Sequence, residues 1–75
     1  MRTITITNES VIDTLEGFLV VKSCSVGGLV YCDNYEVDEI GIGMFTGERM
    51  LTLNEIAHAM HDVDGKNYRV RWESR

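Results

Sequence analysis

The sequence predicts an α+β domain. It reads as an antiparallel-dominated four- or five-stranded sheet with two helices packed on one face, in the order β-α-β-β-(β)-α-β. A ferredoxin-like arrangement is the simplest member of that class. Three observations lead there. Two short segments near the ends alternate polar with apolar residues, Thr52-Leu53-Asn54-Glu55 matches a helix-capping box, and β-branched runs flank a Gly-Gly pair in the middle.

The elements follow in order. Arg2 to Thr7 alternates, with Ile4 and Ile6 on one face, as a half-buried strand does. Asn8 and Ser10 are helix N-cap types and Glu9 and Asp13 suit a first turn. Val11, Ile12 and Leu15 then fall at helical spacing and Gly17 stands as a C′ stop, which predicts a short helix over about residues 9–16. So short a helix needs tertiary packing to persist. Phe18 to Ser25 is a β-branched strand, Val26-Gly27-Gly28 a turn and Leu29 to Cys32 a second strand. Asp33-Asn34 is a further turn signal. Tyr35 to Phe45 reads as a broken strand or a strand pair, with Gly41 and Gly43 marking a bulge or a close backbone approach, and Thr46-Gly47-Glu48 closes it as a turn. The capping box then opens a helix whose apolar stripe is Leu53, Ile56, Ala57, Met60 and Val63, ended by Asp64-Gly65. Asn67 to Glu73 alternates cleanly: Tyr68, Val70 and Trp72 face one way, Arg69, Arg71 and Glu73 the other.

Seventy-five residues make a single domain with a thin core. There is no proline and no apolar run of the roughly 20 residues that a membrane helix needs. Met1 to Thr7 has no signal-peptide core, so the expected location is the cytoplasm and no membrane partner is expected. The net charge is −5, and its imbalance lies in residues 1–39, where seven acids meet two bases. Such a surface repels nucleic-acid backbones and attracts basic protein surfaces, so direct nucleic-acid binding is not expected. Arg69, Arg71, Arg75 and Lys66 form a smaller basic pole; arginines on the outer face of a strand could touch nucleic acid, but four bases in an acidic chain read rather as a blunted sheet edge or as cross-strand partners of acids.

Chemistry-bearing residues are few. His58 and His61 sit three apart on the second helix and, with Asp62 or a cysteine, could begin a zinc site, but no standard ligand spacing is present. Cys24 or Cys32 with either histidine is a formal nucleophile–base pair with no local signature, and both cysteines read as reduced thiols that pack as small apolar residues. No metal site, cofactor or catalytic residue is assigned. Asp62-Val63-Asp64-Gly65 is a helix end and not a calcium loop, since the first and last ligands of such a loop would fall on Met60 and Arg71.

The distinctive stretch is Tyr31-Cys32-Asp33-Asn34-Tyr35-Glu36-Val37-Asp38-Glu39. Its carboxylates could meet the arginines and lysines of a basic groove, and its tyrosines offer large contact area with a polar tip. The plain alternative is a solvated acidic hairpin. Tyr31, Asp33, Tyr35, Glu36, Asp38 and Glu39 are therefore the expected partner-binding residues.

On that segment, the short length and the lack of a catalytic signature, the chain resembles, as a class, the small acidic proteins with which phages and mobile elements block host defence, anti-CRISPR proteins among them. The likeness is one of composition; it aligns no motif and carries over no functional residue. It implies an inhibitor or modulator that occupies a basic surface of a larger, nucleic-acid-handling complex. Two other classes stay open: a small metal-dependent or thiol enzyme on His58 and His61, and a homo-oligomeric structural subunit that adds strands across the Arg69 to Glu73 edge.

Overall fold

A computed structural model describes residues 1–73. The elements are β1 (Arg2–Ile6), β2 (Val11–Asp13), β3 (Gly17–Cys24), β4 (Leu29–Val37), β5 (Gly43–Thr52), α1 (Leu53–Asp64) and β6 (Tyr68–Trp72). Strands β2 to β5 form an antiparallel meander in chain order, and β1 pairs with β6 in a separate two-stranded parallel sheet. The described residues thus form a mostly-strand domain with one helix. This corrects the expectation of two helices in a ferredoxin-like arrangement.

The missing helix is the one expected over residues 9–16. Its polar residues hold turns instead of a cap. The Thr7 N–H donates to Ser10 Oγ at 2.9 Å, the Gly17 N–H donates to Thr14 Oγ1 at 3.1 Å, and Glu9 takes a positive φ of 72°. Ser and Thr side chains compete in this way with helical backbone bonding, and a segment with one buried apolar residue has little packing to oppose them. Ile12 is buried, while Val11 and Leu15 are exposed. Strand β2 pairs with β3, and Gly17 opens β3 where a helix stop was expected.

Two expected turns also lie inside strands. Asp33 and Asn34 belong to β4 because their side chains are satisfied across strands: the Asn34 amide donates to Thr46 Oγ1 at 2.7 Å, and Lys22 Nζ lies 3.7 Å from Asp33 Oδ2. Thr46-Gly47-Glu48 is a bulge within β5, with Thr46 the extra residue and Gly47 at φ 130°, a backbone conformation that favours glycine. The β4–β5 connection is instead the turn after Val37. There Asp38 Oδ1 accepts from the Ile40 and Ile42 N–H groups at 3.0 and 2.9 Å.

The second helix and the last strand form where local signals place them. The Thr52 hydroxyl accepts from the Glu55 N–H at 3.1 Å and the Thr52 N–H donates to Glu55 Oε1 at 2.9 Å, while Gly65 ends α1 with φ 73°. Leu53, Ile56, Ala57 and Met60 face the core, whereas Val63 is exposed. In β6, Val70 is buried with Tyr68 and Trp72 packed beside it, and Arg69 and Arg71 point outward. Arg75, placed in the basic pole from sequence, lies outside the described residues.

The core forms on one face of the meander. Ile12, Leu19, Val21, Val30, Cys32 and Leu51 meet Ile56 of α1, with Ile6 and Val70 from the parallel pair. The helix and the β1–β6 pair therefore cover the part of the inner face that these residues build, while Glu36, Met44 and Arg49 further along it stay exposed.

Candidate functional site

The opposite face of the meander has no layer packed on it among the described residues. Side chains alternate between faces along a strand, so the neighbours of the buried residues point outward. Phe18, Tyr35 and Phe45 form one row across β3, β4 and β5. Phe18 stacks on Tyr35 with ring centroids 4.8 Å apart and planes 10° apart, and Phe45 meets Tyr35 edge-on at 5.7 Å. Gly43 makes room for this row: a Cβ there would lie 3.1 Å from Phe18 Cε1. The next row is Val20, Asp33 and Glu48, and beyond it come Ser23, Tyr31 and Met50. Phe45 is 52% exposed and Met50 61%, so the face is open across three strands, with the acidic Asp33–Glu48 row between its aromatic row and Met50.

Two bulges assemble this face. Lys22 is an extra residue between Val21 and Ser23, and Thr46 is an extra residue opposite the step from Asn34 to Tyr35. Phe45 and Glu48 are three apart, which in a regular strand places them on opposite faces. The extra residue brings both to the outer face.

Tyr31, Asp33 and Tyr35 come together there, as three of the six expected partner-binding residues. Glu36 sits at an odd separation from Asp33 and points to the other face. Asp38 is engaged in its own turn, and Glu39 is exposed at the turn tip. The acidic segment is thus divided between the two faces and a turn. Phe18, Phe45, Glu48 and Met50 were missed because their membership depends on register and bulges.

Charge on this face is unbalanced. Asp33 and Glu48 are direct cross-strand partners. Like charges so placed repel. Lys22 approaches Asp33 at 3.7 Å with its side chain 56% exposed, the kind of surface pair that contributes about 0–1 kcal/mol. Asp13 flanks Phe18 on β2.

The other candidates lie elsewhere. His58 and His61 are exposed on α1, and His61 Nδ1 lies 3.1 Å from the Lys66 carbonyl oxygen. Among the described residues no group of three or more His, Cys, Asp or Glu side chains is placed to hold a metal. Cys32 is in the core, where burial pushes its thiol up, partly opposed by Arg49 and reinforced by Asp33; the reactive thiolate is thereby disfavoured. Cys24 is a free, half-buried thiol near the hairpin turn.

At the end of α1 the Tyr68 hydroxyl donates to Asp64 Oδ2, and the Lys66 N–H donates to Asp64 Oδ1 at 2.9 Å. These bonds, the phenol first, hold the Asp64 carboxyl below its ordinary value of 3.8, and the carboxylate in turn holds Tyr68 above 10.0. A depressed carboxyl contributes stability that is complete above its unfolded value and lost as pH falls through the folded one. The raised phenol contributes below its unfolded value and loses that contribution as pH rises through the folded one. Asp64→Asn is therefore expected to flatten the acid limb of the stability profile below about pH 4. Thermal melts across that range check this, and an unchanged limb would count against the linkage.

No helix among the described residues is long and apolar enough to cross a membrane. No family model, curated protein or solved structure matches this chain.

Proposed function

We propose that this chain is a small protein-binding modulator that lays the open face of its meander on a basic surface of a larger complex. The observation that carries this reading is the uncovered aromatic row Phe18–Tyr35–Phe45 beside the Asp33–Glu48 pair. Aromatic side chains, Tyr among them, are frequent anchors at protein interfaces, and carboxylates at their margin steer a positively charged partner and raise its association rate. A net charge of −5 favours a basic partner over a second copy, because two identical acidic faces repel each other. The class of phage and mobile-element inhibitors of host defence fits this mode of action. A nucleic-acid-handling complex is the expected target and the cytoplasm the expected location.

The test is retention of a partner from source-cell lysate at low and high salt, by the wild-type chain and by an Asp13→Asn/Asp33→Asn/Glu48→Gln variant. The wild type is expected to hold a basic complex at low salt and release it at high salt. The neutralised variant should bind that complex at least about tenfold more weakly while keeping its fold. Equal binding by the two proteins would overturn the reading.

A further inference from the structure

We infer that the occupant of the open sheet face presents arginine, and that the face reads its guanidinium by stacking on the aromatic row and by the paired carboxylates beside it. The inference rests on the binding role proposed above and names its chemistry.

The aromatic row comes first. Phe45 is more than half exposed, and Tyr35 holds it edge-on while stacking on Phe18. The stacked Phe18–Tyr35 pair therefore braces Phe45, the most exposed ring of the three. A planar cation gains from lying on the exposed Phe45 ring through both stacking and cation–π attraction.

The next row supplies the charge. Asp33 and Glu48 stand directly opposite each other on β4 and β5, on the same face and one same-face step from the rings. Among the described residues Glu48 makes no ion pair, and Asp33 has only the long contact to Lys22. Two facing carboxylates offer several acceptor oxygens at once. A guanidinium carries five donors in a rigid fork and can serve both, whereas an ammonium is a compact, strongly hydrated point charge that gains little from the rings. A bound guanidinium also removes the repulsion between the two acids, which the free protein leaves largely uncompensated. Tyr31, on the far side of the pair along β4, adds a fourth ring, one with a hydroxyl. Phosphate-bearing ligands would meet the same two carboxylates as repulsion.

The test titrates the intact chain with two blocked peptides of equal charge, one carrying three arginines alternating with serine and the other three lysines, followed by NMR at low salt. The arginine peptide is expected to bind at least about fivefold more tightly than the lysine peptide and to shift the ring signals of Phe18, Tyr35 and Phe45. Phe45→Ala and Glu48→Gln, both at exposed positions, should each weaken it by about threefold or more with the rest of the spectrum unchanged. Equal affinity for the two peptides would overturn arginine selection while leaving the basic-partner reading in place. Arginine binding that ignores both substitutions would overturn the site. Failure of both peptides to bind would overturn the arginine inference and the basic-partner reading together. Self-association that quenches the ring shifts would identify a second copy as the occupant and overturn the inference as well.

Discussion

Replacing Ile56 with alanine is expected to lower stability by about 3–4 kcal/mol. Ile56 is fully buried, and it is the one residue of α1 in that state. It joins the helix to a core shared by the meander and the parallel pair. The rest of the stripe is only partly covered, so little else can compensate for a cavity at this point. A domain of this size has on the order of 4–11 kcal/mol in total, and the substitution removes a large share of it. Ile56→Val, which keeps the branch, should cost about 1 kcal/mol. Urea unfolding followed by helical circular dichroism and by Trp72 fluorescence measures both. An alanine variant within about 1 kcal/mol of the wild type would show that α1 is held by something other than this contact.

Gly17→Ala is the second large effect, and it acts on backbone. A Cβ at Gly17 would stand 2.2 Å from the Tyr35 carbonyl oxygen and 2.9 Å from the Val37 nitrogen. Neither atom is the end of a flexible side chain, so β3 and β4 would have to part at this end. The residues just beyond are Phe18 and Tyr35. A loss of about 3 kcal/mol is expected, together with loss of the stacked-ring signal in near-ultraviolet circular dichroism. A variant that kept both its stability and that signal would mean the strands are free to separate here. The same substitution should weaken partner binding, since it disturbs the aromatic row without touching any of its rings.

The parts of this structure that were legible in the sequence are those specified within a few residues. The Thr52–Glu55 box and the Leu53–Met60 stripe describe a helix from its own chemistry, and Tyr68–Trp72 alternates without interruption. Residues 9–16 failed because Ser10 and Thr14 serve a cap or a turn equally well, and only the pairing of β2 with β3 decides between them. The division into two sheets was hidden for a related reason: nothing near Arg2–Ile6 names Tyr68–Trp72 as its partner. At the candidate site, Tyr31, Asp33 and Tyr35 were visible because they alternate within one strand. Phe45 and Glu48 were not, because one inserted residue at Thr46 reverses the face on which every residue beyond it lies.

The parallel pairing of β1 with β6 bears on how the chain is made. Arg2 to Ile6 leaves the ribosome before Tyr68 to Trp72, and β2 to β5 and α1 are made in between. Until then Ile6 has no neighbouring strand, and the inner face of the meander lacks both Val70 and the second strand of its cover. The hairpins of β2 to β5 can assemble from near neighbours during synthesis, but the closing contacts join the two described strands furthest apart in sequence and carry the largest loop-closure entropy among these pairings. Folding should therefore finish only after translation has passed Trp72, and a chain truncated within β6 would leave Ile6 and the inner surface exposed to chaperones and proteases.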